Sequence, residues 1–112
     1  KRSKNRLIVL FQPHRFTRTE ALWHDFIKIF SNFPFDQLII TDIFAASEDP
    51  IPHITSKRLV KELNERCPTK KIIYLPSSNN FSIIRDQFNT LIQPNDLALF
   101  LGAGKINSIV DD

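Results

Sequence analysis

His14, Arg15 and Arg18 lie within five residues of one another, just beyond the apolar run Leu7–Phe11 and the break at Pro13. These residue types at this spacing suit an anion. A guanidinium grips a carboxylate or a phosphate through two parallel hydrogen bonds, and a neighbouring imidazole adds a further donor. Thr17 and Glu20 are spaced as a capping box ahead of an amphipathic run, which predicts Thr17 as N-cap and Arg18 as the first helical residue. The free N–H groups and the positive end of that helix would then face the same way as the basic side chains. A second reading fits the same residues: both arginines pair with acids of the chain itself, such as Glu48 or Asp49. Spacing alone does not choose between the two, nor between carboxylate and phosphate.

Other residues with chemical potential are fewer. Asp42 follows an apolar run, and Glu48 and Asp49 precede Pro50-Ile51-Pro52. Acids so placed contact an amine, a ribose or a metal ion, or else orient arginines across a cleft. Gly102 and Gly104, the chain's two glycines, flank Ala103 in one turn, where backbone must come close to something or adopt positive φ. The turn lacks P-loop spacing, and G-x-G without a third glycine is a weak dinucleotide signal. His24, Trp23 and Tyr74 read as packing or surface residues, His53 sits in a loop, and Cys67 at a helix end reads as half-buried and inert. No Ser, His and Asp set and no nucleophile elbow is present. The residues alone describe an anion site without a nucleophile, general base or metal cluster, and so allow a stand-alone anion- or nucleotide-binding module with no catalysis.

The elements that must position these residues follow from periodicity. Four short apolar runs, Leu7 to Phe11, Leu38 to Thr41, Ile72 to Leu75 and Leu97 to Leu101, lack clean alternation and read as buried strands. Between them the period becomes helical. Leu22, Trp23, Phe26, Ile27 and Phe30 share one face; so do Leu59, Val60, Leu63 and Cys67, and then Phe81, Ile84, Phe88, Leu91 and Ile92. A short further helix is expected near Ile106. Strict alternation predicts an α/β fold of Rossmann-like, three-layer type with a mainly parallel sheet. Ligands of such sheets bind at the loops leaving the strands' carboxyl ends, here QPHRFTR, DIFAASEDPIPH, PSSNN and GAGK.

Composition bounds the rest. A chain of 112 residues makes one domain, and 42% hydrophobic residues with ten phenylalanines can fill its core. The net charge of +3 would suit a nucleic-acid binder, but Lys1, Arg2, Lys4 and Arg6 cluster at the terminus rather than along a face, so no nucleic-acid partner is expected. A single cysteine excludes an internal disulfide and fits a reducing cytoplasm. The five-residue run falls short of the roughly 7 to 15 of a signal peptide's apolar region, and no stretch approaches the ~20 apolar residues of a membrane span. Methionine is absent even at position 1, as expected of a piece of a longer protein.

The segment Phe11-Gln12-Pro13-His14-Arg15-Phe16-Thr17-Arg18 resembles the F-Q-P-H-R-[YF]-x-R motif in the C-terminal domain of the Mur ligase family, in its alanine-adding branch. Asp42 to Pro52 is similar to the family's D-V-Y-P-A-G-E-x-P-I, with Ser47 and, further on, His53 where the family has glycine. Asp96 with Gly102-Ala103-Gly104 is similar to its closing D-L-(apolar)-G-A-G. The resemblance implies ATP-dependent amide formation in peptidoglycan precursor synthesis, in the cytoplasm. The lactyl carboxylate of UDP-N-acetylmuramate is activated as an acyl phosphate and attacked by the amine of L-alanine. His14, Arg15 and Arg18 would hold the alanine carboxylate, with Asp42, Glu48, Gly102, Ala103 and Gly104 as further cleft contacts. ATP and Mg would bind mainly outside this chain, on the ligase's own central domain, while the N-terminal domain holds the UDP-sugar. The family's D-D-Y-G-H-H-P segment is expected just before Lys1. Without it and the other two domains, the isolated domain is expected to be inactive.

Overall fold

The computed structural model describes residues 6–76, 81–94 and 96–101. The elements run β1 (Leu7–Phe11), α1 (Phe16–Ala21), α2 (Trp23–Asn32), β2 (Gln37–Thr41), α3 (Ser56–Arg66), β3 (Lys71–Leu75), α4 (Phe81–Leu91) and β4 (Leu97–Leu101). The strands form one parallel sheet in the order β3-β2-β1-β4, an α/β fold with helices on both faces. The turn Gly102-Ala103-Gly104 and the helix expected near Ile106 lie outside the described residues.

Side-chain alternation along the strands sorts the helices into layers. Val9, Phe11, Leu38, Ile40 and Ile72 face one side, where Trp23, Ile27 and Phe30 of α2 and Leu59, Val60 and Leu63 of α3 cover them. Ile8, Leu10 and Ile39 face the other and pack against Phe88 of α4. Phe88 is 1% exposed and meets Phe100 edge-on with ring centroids 4.9 Å apart. Burying such a ring contributes roughly 1.5–3 kcal/mol.

The central strand β2 is buried along its whole length, as its unbroken apolar run predicts. The expectation of buried strands fails for β4: Leu97, Ala98 and Leu99 are exposed. The reason is position, since among the described residues β4 pairs only with β1 and lies at the sheet's edge. The single first helix of the sequence reading is also two helices, divided at Leu22 (φ −102°, ψ 10°). Cys67 is buried rather than half-buried, at the C-cap of α3. At the amino edge of the sheet, Arg6 and Asp96 form a bidentate pair at 3.0 and 2.8 Å that pins the start of β1 to the start of β4.

Candidate functional site

In this strand order the chain leaves β1 towards β2 on one side, while β4 lies on the other, so the connections part at the carboxyl end of β1. A crevice forms at such a point, and ligands of parallel sheets bind there. The loop that leaves β1 carries His14 and Arg15.

Pro13 has no N–H to offer the ladder, and the strand ends at Phe11. The pairing with the β2 side nevertheless continues through the loops. His14 and Phe44 form a parallel bridge: Phe44 N–H donates to the carbonyl of Pro13 at 2.9 Å, and Arg15 N–H donates to the carbonyl of Phe44 at 2.7 Å. The His14 and Phe44 rings stack, 5.5 Å apart and 9° from parallel, which fixes the plane of the imidazole. Arg15 itself has φ 71° and ψ 144°, a conformation that a side chain opposes at a cost of about 1–3 kcal/mol. The bridge to Phe44 holds it there.

The capping box is overturned. Helix α1 begins at Phe16, its N-cap is Arg15, and neither Thr17 nor Glu20 caps it. Glu48, from the loop after β2, does so instead. Its Oε1 accepts the N–H groups of Phe16 at 2.8 Å and Thr17 at 3.1 Å, while its Oε2 accepts the Thr17 hydroxyl at 2.7 Å. Oε2 also lies 3.8 Å from Arg15 Nη1. The Thr17 hydroxyl first, then the backbone N–H groups and the Arg15 charge, hold the Glu48 carboxyl below its ordinary value. The anion expected at the helix N-terminus is therefore partly the chain's own, as the ion-pairing reading allowed. The local i to i+3 signal at Thr17 could not reveal a partner 31 residues away.

Beyond Glu48 the basic side chains still face open space. His14, Arg15, Thr17, Arg18, Ala21 and Leu22 line one open depression of about 720 Å³. Arg18 is exposed and forms no ion pair among the described residues. The three basic residues singled out from sequence thus share one surface.

Asp42 stands apart from that lining. It accepts a hydrogen bond from the hydroxyl of Tyr74, whose neighbour in register is Ile40. Burial first, and then this bond, push the Tyr74 hydroxyl up to about 12. Tyr74, read from sequence as a packing residue, therefore ties the end of β3 to the loop that carries Phe44 and Glu48. Its position at the end of an apolar run beside the strand that precedes Asp42 was the available signal. Phe44 gave none. Ser47 and His53, where the Mur pattern has glycine, keep positive φ at 73° and 71°. Asp49 and His53 are exposed loop residues, and His24 is exposed on α2. Among the described residues no cluster of three or more His, Cys, Asp or Glu side chains could hold a metal ion, and no helix is long and apolar enough to cross a membrane.

Fold and site together define a parallel three-layer α/β domain that presents a basic depression at the end of its first strand. No family model matches the chain. Among characterised proteins it is 45% identical over 109 residues to a protein of Syntrophus aciditrophicus (strain SB) named UDP-N-acetylmuramate--L-alanine ligase, covering 95% of this chain. Proteins of the same name from Nitratidesulfovibrio vulgaris (strain DP4) and Oleidesulfovibrio alaskensis are 38% and 41% identical, over 93% and 90% of the chain. The chain spans about a fifth of the length of these relatives, 21%, 22% and 21% respectively. It belongs to the Mur ligase family, as a homologue of one domain-sized part of the alanine-adding ligases.

Proposed function

We propose that this chain is the C-terminal, substrate-positioning domain of a cytoplasmic UDP-N-acetylmuramate--L-alanine ligase, and that His14, Arg15 and Arg18 hold the carboxylate of L-alanine. One observation carries the reading: the three side chains share one open depression at the carboxyl edge of a parallel sheet. ATP with magnesium, bound mainly on the parent's central domain, supplies the activation of the muramate carboxylate. This domain's part is placement. Gripping alanine by its carboxylate leaves the amine free to be aimed at the activated carbonyl, and such orientation supplies much of a ligation rate. The stacked His14 ring and the bridged Arg15 backbone hold two of the three contacts before alanine arrives, which lowers the entropy lost on binding. Closure of the domain over the other two would exclude water from the activated intermediate.

The test is alanine-dependent ADP release by the full-length ligase, with Arg15→Ala and Arg18→Ala beside it. An arginine–carboxylate contact contributes about 1.5–3 kcal/mol, so each change should raise the alanine KM roughly 10- to 150-fold. An unchanged KM in both variants overturns the assignment.

A further inference from the structure

We infer that Glu48 sets the charge of this site, so that the depression accepts a singly charged carboxylate and discriminates against a doubly charged phosphate or phosphonate. The inference rests on the reading of His14, Arg15 and Arg18 as the alanine-carboxylate site and adds a residue that determines its specificity.

Three observations lead to it. First, Glu48 occupies the positions where an oxyanion would otherwise meet the start of α1: the N–H groups of Phe16 and Thr17 and the Thr17 hydroxyl all point at its carboxylate. A ligand therefore meets side chains, not the helix end. Second, Glu48 Oε2 lies 3.8 Å from Arg15 Nη1, a distance that leaves the guanidinium's other N–H groups free to donate elsewhere, and the Arg15 side chain is half exposed. Third, among the described residues the lining of the depression contains no acid, and its formal cations are Arg15 and Arg18. Two guanidiniums set against the Glu48 carboxylate leave one net positive charge beside the depression. That balance matches one carboxylate. A dianion would bring a second negative charge close to Glu48, with no cation left to meet it among the described lining residues.

The two roles of Glu48 can be separated because they respond to different changes. As a clamp it holds Phe16 and Thr17 through hydrogen bonds; an amide oxygen can accept the two N–H bonds, and the amide NH2 can donate to the Thr17 hydroxyl oxygen in place of the third. As a charge it repels a dianion, and an amide cannot do that. Glu48→Gln therefore retains much of the clamp and removes the charge.

The experiment compares two ligands of one shape in the full-length ligase: L-alanine, by its KM, and 1-aminoethylphosphonate, its doubly charged analogue, by its Ki against alanine. In Glu48→Gln the ratio of phosphonate Ki to alanine KM should fall roughly three- to tenfold, the effect of removing one like charge at about 6 Å in an open site screened mostly by water. Glu48→Asp keeps the charge and should restore the parent ratio. If Glu48→Gln does not fold, Ala21→Glu adds a negative charge at an exposed lining position, and the ratio should rise instead. A ratio that stays constant in Glu48→Gln and Ala21→Glu, whether both constants move together or neither moves, reduces Glu48 to a structural clamp and overturns the inference. Arg15→Ala and Arg18→Ala serve as the separate arm: if neither alters the alanine KM, the underlying site reading has failed, whatever Glu48 does.

Discussion

Glu48 grips Thr17 twice: one carboxylate oxygen takes the backbone N–H at 3.1 Å, and the other takes the side-chain hydroxyl at 2.7 Å. This pair joins the loop after β2 to the first turn after β1, and so closes the surface on which His14, Arg15 and Arg18 meet.

The pair makes the site sensitive to acid. Glu48 has a carboxyl held below its ordinary 4.5, through the Thr17 hydroxyl first and then the backbone. The unfolded chain thus takes up its proton at a higher pH than the folded one. Stability from Glu48 is fully present above pH 4.5 and is lost as pH falls through the folded value. Asp96, lowered chiefly by Arg6, acts in the same direction from its ordinary 3.8. Carboxyl NMR titration should place the Glu48 midpoint below 4.5, with Thr17→Val raising it. A midpoint at or above 4.5 in the parent chain would contradict the clamp.

Tyr74 reports on the other side of the same loop. It is the chain's single tyrosine, so tyrosinate absorbance follows it alone. Partial burial, and then donation to Asp42, push its hydroxyl up from 10.0 to about 12. The sign is opposite to that of Glu48: the stability is present below pH 10.0 and is lost as pH rises towards 12. Asp42→Asn should lower the absorbance midpoint only part of the way, since burial is the larger cause. Ionisation at 10.0 while the chain remains folded would mean that the Tyr74 hydroxyl is neither shielded from water nor donating.

Strands and helix faces were legible in the sequence because a buried sheet needs runs such as Leu38 to Thr41, and a packed helix needs faces such as Leu59, Val60 and Leu63. The candidate site's place in the fold was legible for a related reason: a parallel sheet sends its loops to one edge, and His14, Arg15 and Arg18 lie on the first of them. Who caps α1 was not. Thr17 and Glu20 satisfy the local spacing, but Glu48 reaches the helix end through a contact set by the pairing of β1 with β2. The exposure of β4 was equally hidden, because Leu97 to Leu101 is as apolar as β2 and only strand order makes it an edge.

Lys70 should contribute to stability from the edge away from the site. Its Nζ donates to the carbonyls of Phe30, Ser31 and Phe33 at 3.4, 3.2 and 2.8 Å, and lies 4.6 Å from the centre of the Phe35 ring. These are the last carbonyls of α2 and the residue beyond, where a cation complements the helix dipole. Lys70→Met keeps most of the aliphatic stem and removes the donors. It should cost about 1–2 kcal/mol in urea unfolding, with alanine kinetics of the full-length enzyme unchanged. A neutral effect on unfolding would show that water serves those carbonyls equally well.

Glycine substitutions should separate fold from function. Ser47, His53 and Arg15 all hold positive φ, at 73°, 71° and 71°, where a Cβ costs roughly 1–3 kcal/mol. Part of that gain is offset by the freer unfolded chain of glycine. Ser47→Gly and His53→Gly should therefore each stabilise the fold by about 0.5–1 kcal/mol and leave the alanine KM unchanged, as both backbones already hold the positive φ that glycine favours. Arg15→Gly removes the same strain at the site, and its side chain is half exposed with one long contact to Glu48, so little packing is lost. Its thermal midpoint should hold or rise while the alanine KM rises as in Arg15→Ala. A fold kept or made more stable together with weaker alanine binding would identify the Arg15 conformation as strain maintained for ligand binding. A large fall in the thermal midpoint of Arg15→Gly would instead make Arg15 a structural residue whose contacts outweigh its strain.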